Sequence, residues 1–272
     1  MFLRQPAQMA MLKNSVRPKK HLGQNFLSDS NIRKKIIQAA GFSPEDTLLE
    51  IGAGRGELTR LLAGKVKMVY AVEIDAALSD ELKAEFRSNE KVKIINSDIL
   101  RFNIDRYIPG SCRIKVIGNI PYYLSTPIIE YLLGHLDRIG AIFMTVQKEF
   151  AARVVALPGS RDYGSLSCFV QYYCLPRMMF TVKKTSFWPV PKVDSSFLKL
   201  EPRGEPAVKA DQRELFRLIR AAFSKRRKTL RNSLKGVVEE GRLELFFERY
   251  GINRDIRPEQ LGLEDFARLL NS

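Results

Sequence analysis

The chain has 272 residues, a length that favours one large domain with a smaller second one, and 45% hydrophobic and 28% charged residues, a composition typical of a folded soluble protein. Its formal charge of +15 favours a polyanionic partner, with nucleic acid as the first candidate and an anionic membrane surface as the second. No apolar run approaches the roughly 20 residues that cross a bilayer, which argues against a membrane-spanning protein.

The first 20 residues are predicted to form a basic arm, and an organelle-targeting leader is the alternative interpretation. The three cysteines have spacings that match neither a zinc site nor a redox pair, so we expect no bound metal and a reducing, cytoplasmic setting. Five cations of the arm precede the first acidic residue, Asp29, and they are Arg4, Lys13, Arg17, Lys19 and Lys20.

Strand-like and helical patterns then alternate, which predicts an α/β fold with a doubly wound, Rossmann-like parallel sheet. The first strands are predicted at Thr47–Ile51, Met68–Val72, Val92–Ile95 and Ile114–Ile117, with helices at Glu57–Ala63 and Ala76–Phe86. Later strands are predicted at Ala141–Val146, Ser167–Cys174, Met178–Val182 and Ser195–Leu200. In such a sheet the carboxyl ends of the strands line one edge, where ligands bind.

A domain boundary is predicted near Arg203. The stretch Glu201–Pro206 is rich in turn-forming residues, and the sequence beyond it has helical patterns only. We therefore expect an α/β domain over residues 21–203 and a small helical C-terminal domain over residues 204–272.

The first strand-to-helix turn carries three glycines, Gly52, Gly54 and Gly56. A dinucleotide-binding fingerprint would place its third glycine at position 57, which is Glu57. A negative charge at a helix start repels a pyrophosphate but suits the positive sulfonium of S-adenosylmethionine. The Gly-x-Gly-x-Gly spacing, with the acidic Glu50 two residues earlier, is similar to the motif of S-adenosylmethionine-dependent methyltransferases.

Two carboxylates at later strand ends extend this predicted nucleotide site. Glu73 lies 21 residues after Gly52 and can accept both hydrogen bonds of a ribose diol. Asp98 can accept a hydrogen bond from an adenine amino group. A carboxylate that closes a strand is more often a helix cap, so the prediction rests on their joint occurrence with the glycine loop.

The tetrapeptide Asn119-Ile120-Pro121-Tyr122 closes the fourth strand and resembles the catalytic motif of methyltransferases that modify an exocyclic amine on a base. The lone pair of that amine is conjugated into the ring, so the nitrogen must pyramidalise before it reacts. The Asn119 side-chain oxygen and the Ile120 carbonyl can accept its two N–H bonds. Pro121 fixes the backbone, and Tyr122 offers a face for stacking. The alternative is a proline turn whose tyrosines pack in the core.

A second aromatic-proline stretch begins at Phe187. It is either an ordered loop or, with Phe187 as the second face of a base sandwich, part of the site of an enzyme that extrudes its target base. No general base is required, because the amine proton can leave to solvent.

Four motifs in order resemble those of the KsgA-type (RsmA-type) small-subunit ribosomal RNA adenine dimethyltransferases. They are His21–Leu27, GAGRGELT from Gly52, NIPYYLSTP from Asn119 and FWPVPKVDS from Phe187. The resemblance covers about nine-tenths of the chain and implies the fold of a class I S-adenosylmethionine-dependent methyltransferase. The donor-site residues that it implies or that the glycine loop suggests are Asn25, Leu27, Gly52, Gly54, Glu73, Asp98 and Asn119.

The resemblance also implies the substrate, namely the N6 amines of two adjacent adenosines near the 3′ end of small-subunit rRNA. Each would be methylated twice, late in ribosome assembly, by a monomer that acts on a pre-ribosomal 30S particle. Related methyltransferases modify large-subunit rRNA, and Ala222–Leu234 resembles the small-subunit enzymes instead. The predicted RNA contacts in that stretch are Lys225, Arg226, Arg227, Lys228 and Arg231, and the alternative is a solvated helix face.

Two other classes of function stay open on the sequence. One is a non-catalytic nucleic-acid-binding factor on the same fold, against which the intact Asn119–Tyr122 motif argues. The other is a dinucleotide oxidoreductase, which the missing glycine at position 57 disfavours.

Overall fold

The computed structural model describes residues 17–19, 22–110, 113–225 and 227–272. Most of the predicted N-terminal arm, residues 1–16 and 20, therefore lies outside the described residues. Within the described part, helices and strands alternate as predicted, and no helix there is long and apolar enough to cross a membrane.

Nine strands occur in the described residues: β1 (Phe26–Leu27), β2 (Thr47–Ile51), β3 (Met68–Glu73), β4 (Val92–Asn96), β5 (Ile114–Asn119), β6 (Ile139–Gln147), β7 (Cys174–Val182), β8 (Phe187–Trp188) and β9 (Ser195–Pro202). Seven of these form one sheet in the order β4-β3-β2-β5-β6-β9-β7, and β1 pairs antiparallel with β8. Strands β4, β3, β2, β5 and β6 pair in parallel, which confirms the predicted sheet. The strand order reverses between β2 and β5, and ligands bind at such a switch point.

The helices of the described residues are α1 (Ser30–Ala40), α2 (Glu57–Ala63), α3 (Ala76–Glu85), α4 (Ile104–Tyr107), α5 (Ser125–Leu133), α6 (Lys148–Val155), α7 (Ser165–Tyr173), α8 (Gln212–Phe223), α9 (Leu230–Leu234), α10 (Glu240–Tyr250) and α11 (Leu263–Leu270). Every predicted strand except Ser167–Cys174 lies within an observed strand. Both predicted helices of the first half match α2 and α3 to within one residue.

The predicted strand Ser167–Cys174 is wrong, because this segment forms most of helix α7. Its valine and aromatic residues favour strands by propensity, but packing decides otherwise. Cys168 and Tyr172, four residues apart and so on one helix face, are both buried in a cluster with Phe216 of α8. The helix start lacks a polar N-cap residue, and the Ser167 hydroxyl accepts the Gly164 N–H at 3.1 Å instead.

Packing divides the described chain into two compact units. The first contains the described residues up to Lys148 together with Met179–Lys199, and the second contains Glu149–Met178 and Leu200–Ser272. The second unit thus takes in a stretch that precedes the boundary predicted near Arg203, because α7 packs with the C-terminal helices. The functional division of the chain at that boundary stays a prediction.

Each unit has its own core. In the first, Ile36 of α1, Leu48 of β2, Leu62 of α2 and Val69 of β3 belong to one cluster and have no exposed surface. Burial of each such side chain contributes about 1.5–3 kcal/mol, so this cluster fixes α2 and the loop before it against the sheet. In the second unit, aromatic side chains from α8, α10 and α11 share a separate buried cluster.

Gly118 determines how closely β2 and β5 approach at the switch point. It lies in register with Ile51 and directly before Asn119. A Cβ atom at position 118 would lie 2.8 Å from the Ile51 carbonyl oxygen and 2.7 Å from Ile120 Cδ1. The backbone of Ile51 cannot move aside as a flexible side chain can. The position therefore requires glycine, although the φ of Gly118 is not in the left-handed region.

We predict that Gly118→Ala lowers the free energy of unfolding by about 1–3 kcal/mol, because the new methyl group overpacks the contact between β2 and β5. Gly140→Ala in β6 is the matched control, since its nearest neighbours would be Arg113 Cβ at 3.6 Å and the Ile114 carbonyl oxygen at 3.7 Å, which are ordinary contacts. Urea unfolding of both variants measures the difference. Equal stability of the two variants would contradict the account.

Candidate active site

The glycine loop carries the chain from β2 into α2. Gly52, Gly54 and Gly56 have φ values of 72°, 58° and 75°, in the left-handed region that side chains avoid. The Gly52 N–H donates to the Val72 carbonyl of β3 at 2.9 Å, which ties the loop to the neighbouring strand. A Cβ atom on Gly54 would lie 3.1 Å from the Phe26 ring, so the loop is closely packed on that side.

Glu73, the predicted ribose ligand, ends β3 beside this loop. One carboxylate oxygen accepts the Gly54 N–H at 2.7 Å, and the other accepts the Asp75 N–H at 2.8 Å. The residue is only 4% exposed, and burial raises the pKa of its carboxyl. Because each carboxylate oxygen has more than one lone pair, both keep acceptor capacity after these bonds.

Glu50 lies in β2, two residues before the loop, and is also buried. Burial raises the pKa of Glu50 to about 8, and the charges of Glu57 and Glu73 act in the same direction. The Glu50 carboxyl is therefore mostly protonated at neutral pH. It adds little negative charge beneath the glycine loop.

The segment before β1 is fastened to the end of β3 through Asp75. Lys19 Nζ contacts one Asp75 oxygen at 2.8 Å, and Gln24 Nε2 donates to the other at 3.1 Å. The Lys19 N–H donates to Gln24 Oε1 at 2.8 Å, which closes the network. Burial alone would raise the pKa of Asp75, but the bonds from Lys19 and Gln24 hold it below its usual range. Sequence reasoning assigned Lys19 to the arm and missed this role.

Asn119, at the end of β5, is held by the same N-terminal segment. Its Nδ2 donates to the Asn25 carbonyl oxygen at 2.7 Å. A carbonyl only accepts, so the group that faces it must be the NH2 of the amide, and Oδ1 is left as an acceptor. The Ile120 N–H donates to the Thr145 carbonyl of β6 at 3.1 Å, which fixes the backbone that follows.

A cleft of about 490 Å³, open solvent at its mouth included, lies where these elements meet. The predicted site residues that line it are Asn25, Gly52, Glu73, Asn119, Ile120, Pro121, Tyr122 and Phe187, and its other lining residues are Gly23, Gln24 and Phe26. Eight of the predicted residues are thus brought together at one site.

The other three predicted residues of the donor site do not line the cleft. Leu27 is 3% exposed and packs in the core, while Gly54 contributes its N–H to Glu73. Asp98 accepts the Leu100 N–H at 3.0 Å and so caps a short 3₁₀ turn, the alternative role that the sequence had left open. Direct contact of Asp98 with an adenine stays a prediction.

Two aromatic rings border the cleft, that of Tyr122, which follows β5, and that of Phe187 in β8. Tyr122 is half-buried, and its hydroxyl shares a hydrogen bond with Ser195 Oγ at 2.8 Å. Burial raises the pKa of the Tyr122 phenol, which is neutral at any physiological pH. Phe187 packs in the core with 2% of its surface exposed, yet it borders the cleft. The predicted base sandwich of these two rings stays a prediction.

The described residues offer neither a histidine in this cleft nor a cluster of three or more His, Cys, Asp or Glu side chains placed to hold a metal. His135 Nδ1 lies 2.8 Å from the Tyr131 carbonyl oxygen, away from the cleft. His21 lies outside the described residues.

The predicted RNA contacts belong to the second compact unit and differ in their surroundings. Lys225, Arg227 and Lys228 are exposed, and no described carboxylate pairs with them. Arg231 instead forms ion pairs with Glu244 and, at 3.7 Å, with Glu240. The remaining predicted contact, Arg226, lies outside the described residues.

The family model for ribosomal RNA adenine dimethylase matches residues 16–272. The chain belongs to this family. The resemblance drawn from its motifs is thereby confirmed, and so is the predicted fold of an S-adenosylmethionine-dependent methyltransferase. The members of the rRNA adenine dimethylase family use S-adenosylmethionine as the methyl donor.

Relatives and solved structures agree with this assignment. Ribosomal RNA small subunit methyltransferase A of Clostridium botulinum (strain Okra / Type B1) is 40% identical over 252 residues, 92% of each chain. The same-named protein of Moorella thermoacetica is 40% identical over 93% of this chain and 91% of its own.

Among solved structures, a dimethyladenosine transferase from Plasmodium falciparum is 28% identical with a TM-score of 0.77, over 90% of this chain and 96% of its own. The 23S rRNA methyltransferase ErmE is 26% identical with a TM-score of 0.70, over 91% of this chain and 100% of its own. The family fold thus extends over nearly the whole chain.

Proposed function

We propose that this member of the rRNA adenine dimethylase family transfers methyl groups from S-adenosylmethionine to the N6 amines of adenosines in small-subunit ribosomal RNA. The observation that carries the proposal is the fixed amide of Asn119. Its NH2 is bound to the Asn25 carbonyl, and its oxygen is left as an acceptor beside the cleft that Glu73 and Gly52 also line. An oriented acceptor at that position suits an exocyclic amine.

The residues of the cleft fit the methyl donor. The spare acceptor capacity of Glu73 suits a ribose diol, and Gly52, exposed and without a side chain, permits close approach to the backbone. The donor supplies a methyl group on a positively charged sulfonium. Glu57 at the start of α2 favours that positive charge over a pyrophosphate.

Two oxygens of the protein bind the target N6 amine and orient it for methyl transfer. Asn119 Oδ1 and the Ile120 carbonyl accept its two N–H bonds, which draws the nitrogen out of conjugation and presents its lone pair. The bond to Asn25 restrains rotation of the Asn119 amide, so Oδ1 is oriented before the base arrives. Because the released proton can pass to solvent, a histidine base is unnecessary.

The base itself is held by stacking. Tyr122 and Phe187 both border the cleft, and the hydrogen bond of the Tyr122 hydroxyl to Ser195 restrains the orientation of the Tyr122 ring. Stacking of a base on one aromatic ring is worth about 1–3 kcal/mol, enough to offset part of the cost of extruding an adenine from its stack.

The small-subunit assignment rests on the relative from Clostridium botulinum that is 40% identical over 92% of both chains, since its name specifies that subunit. In line with the family resemblance, the finer proposal is that two adjacent adenosines near the 3′ end are each dimethylated, by a monomer acting on a pre-ribosomal 30S particle. The proposed location is the cytoplasm.

Replacement of Asn119 tests the catalytic proposal. We expect Asn119→Ala to lower dimethyladenosine formation at least about 100-fold, because the oriented acceptor is lost, while RNA affinity stays within about twofold. Asn119→Asp keeps an acceptor but cannot donate to the Asn25 carbonyl, so its activity should lie between that of the wild type and that of Asn119→Ala. Mass spectrometry of RNA from immature small subunits incubated with donor and protein measures the product.

Wild-type activity in Asn119→Ala would contradict the assigned role of Asn119. Absence of dimethyladenosine with the wild-type protein would contradict the proposed function itself, and RNA binding without methylation would favour the non-catalytic alternative.

The exposed cations of the C-terminal unit are proposed to contact RNA phosphates. Each phosphate contact adds about 0.7–0.9 to the slope of log affinity against log salt. Arg227→Gln should therefore flatten this slope by about that amount for a small-subunit rRNA fragment. Arg231→Gln is the matched control, because Arg231, although also predicted from the sequence as an RNA contact, is paired with Glu244 and should contribute less to the slope. A larger effect of Arg231→Gln than of Arg227→Gln would contradict this assignment.

A further inference from the structure

Trp188 is a large aromatic side chain that the proposed reaction does not use and that remains 47% exposed. It pairs with Phe26 across the two short strands β1 and β8. The two rings are nearly parallel, with centroids 6.4 Å apart and an interplanar angle of 21°. An exposed tryptophan that is held in a fixed orientation differs from the single exposed apolar residues common on protein surfaces.

The guanidinium of Arg55 lies over both rings. Its Cζ is 4.7 Å from the Phe26 centroid and 4.8 Å from the Trp188 centroid. Arg55 belongs to the glycine loop, so the cation is anchored next to the proposed donor site. The three side chains form a cluster, the Arg55–Phe26–Trp188 cluster, that combines a positive charge with an exposed aromatic surface.

This cluster is continuous with the cleft. Phe26 and Phe187 both line the cleft, and Trp188 follows Phe187 directly. Successive residues of a strand point to opposite sides, so Phe187 is buried at 2% exposure while Trp188 faces outward. Val190 and Val193 of the same stretch are also exposed, at 58% and 45%, and they extend the apolar surface.

We propose that Trp188 is a stacking platform for the nucleotide adjacent to the target adenine, with Arg55 placed to favour the phosphate between the two. The proposal rests on the proposed function. Extrusion of a target base into the cleft removes the stacking partner of its neighbour, and an exposed aromatic ring beside the cleft replaces that partner. The anchored cation and the net charge of +15 favour an RNA strand over an apolar protein segment as the occupant.

The chain has a single tryptophan, so its fluorescence reports on Trp188 alone. The probe is a short single-stranded RNA with two adjacent adenosines, added to the full chain saturated with S-adenosylhomocysteine, so that changes in the donor site are already complete. We expect saturable quenching of the tryptophan emission. Its dissociation constant should equal the one measured by fluorescence anisotropy of labelled RNA. An RNA with an abasic residue beside the target adenosine should bind with much less quenching.

Binding of the RNA without a change in tryptophan emission would overturn the proposal. So would equal quenching by the abasic RNA, or quenching by vesicles of anionic lipid but not by RNA. These outcomes concern stacking alone and are decided whether or not methylation occurs.

Two substitutions at position 188 distinguish the effect of the aromatic ring from the effects of side-chain size and of misfolding. Trp188→Leu keeps an apolar side chain without a ring, and we expect kcat/KM for the RNA to fall about tenfold with the dissociation constant of S-adenosylhomocysteine unchanged. Trp188→Phe keeps a ring and should recover most of the loss. Equal kcat/KM in the wild type and Trp188→Leu, with wild-type dimethylation intact, would refute the platform while leaving the proposed function in place.

Discussion

The hydrogen bond from Asn119 Nδ2 to the Asn25 carbonyl is the constraint on which the proposed chemistry depends. It joins the end of β5 to the segment that precedes β1, two parts of the chain separated by 94 residues. The bond decides which atom of the amide remains as an acceptor. It also requires that the N-terminal segment be in place before the Asn119 oxygen is oriented, so that the site is assembled from distant parts of the first compact unit.

Buried carboxylates at the end of β3 hold that segment and the glycine loop together. Glu73 accepts two backbone N–H groups, and Asp75 binds Lys19 and Gln24. Burial of a charge is costly, and each of these bonds offsets part of that cost. The same interactions that stabilise the buried carboxylates therefore position the backbone around the cleft, and the switch point between β2 and β5 provides the space that the cleft occupies.

Most of the sheet and eight residues of the cleft could be predicted from the sequence, because strand ends in a parallel sheet meet at one edge and the motifs mark those ends. Local patterns could not predict contacts between distant segments. The Lys19–Asp75 ion pair and the steric need for Gly118 depend on neighbours that only the fold brings close. The error at Ser167–Cys174 has the same origin, since packing against Phe216 overrides the strand propensity of that segment. Asp98 shows that one carboxylate at a strand end does not by itself predict a ligand contact, because the same side chain can cap a turn.

A crystal structure of the protein with S-adenosylhomocysteine and a short RNA that carries the target adenosine tests the central claim most directly. We expect the N6 amine to lie within hydrogen-bond distance of Asn119 Oδ1, while Nδ2 remains on the Asn25 carbonyl. A complex in which the adenine amine contacts other groups, or in which the Asn119 amide has left the Asn25 carbonyl, would contradict it.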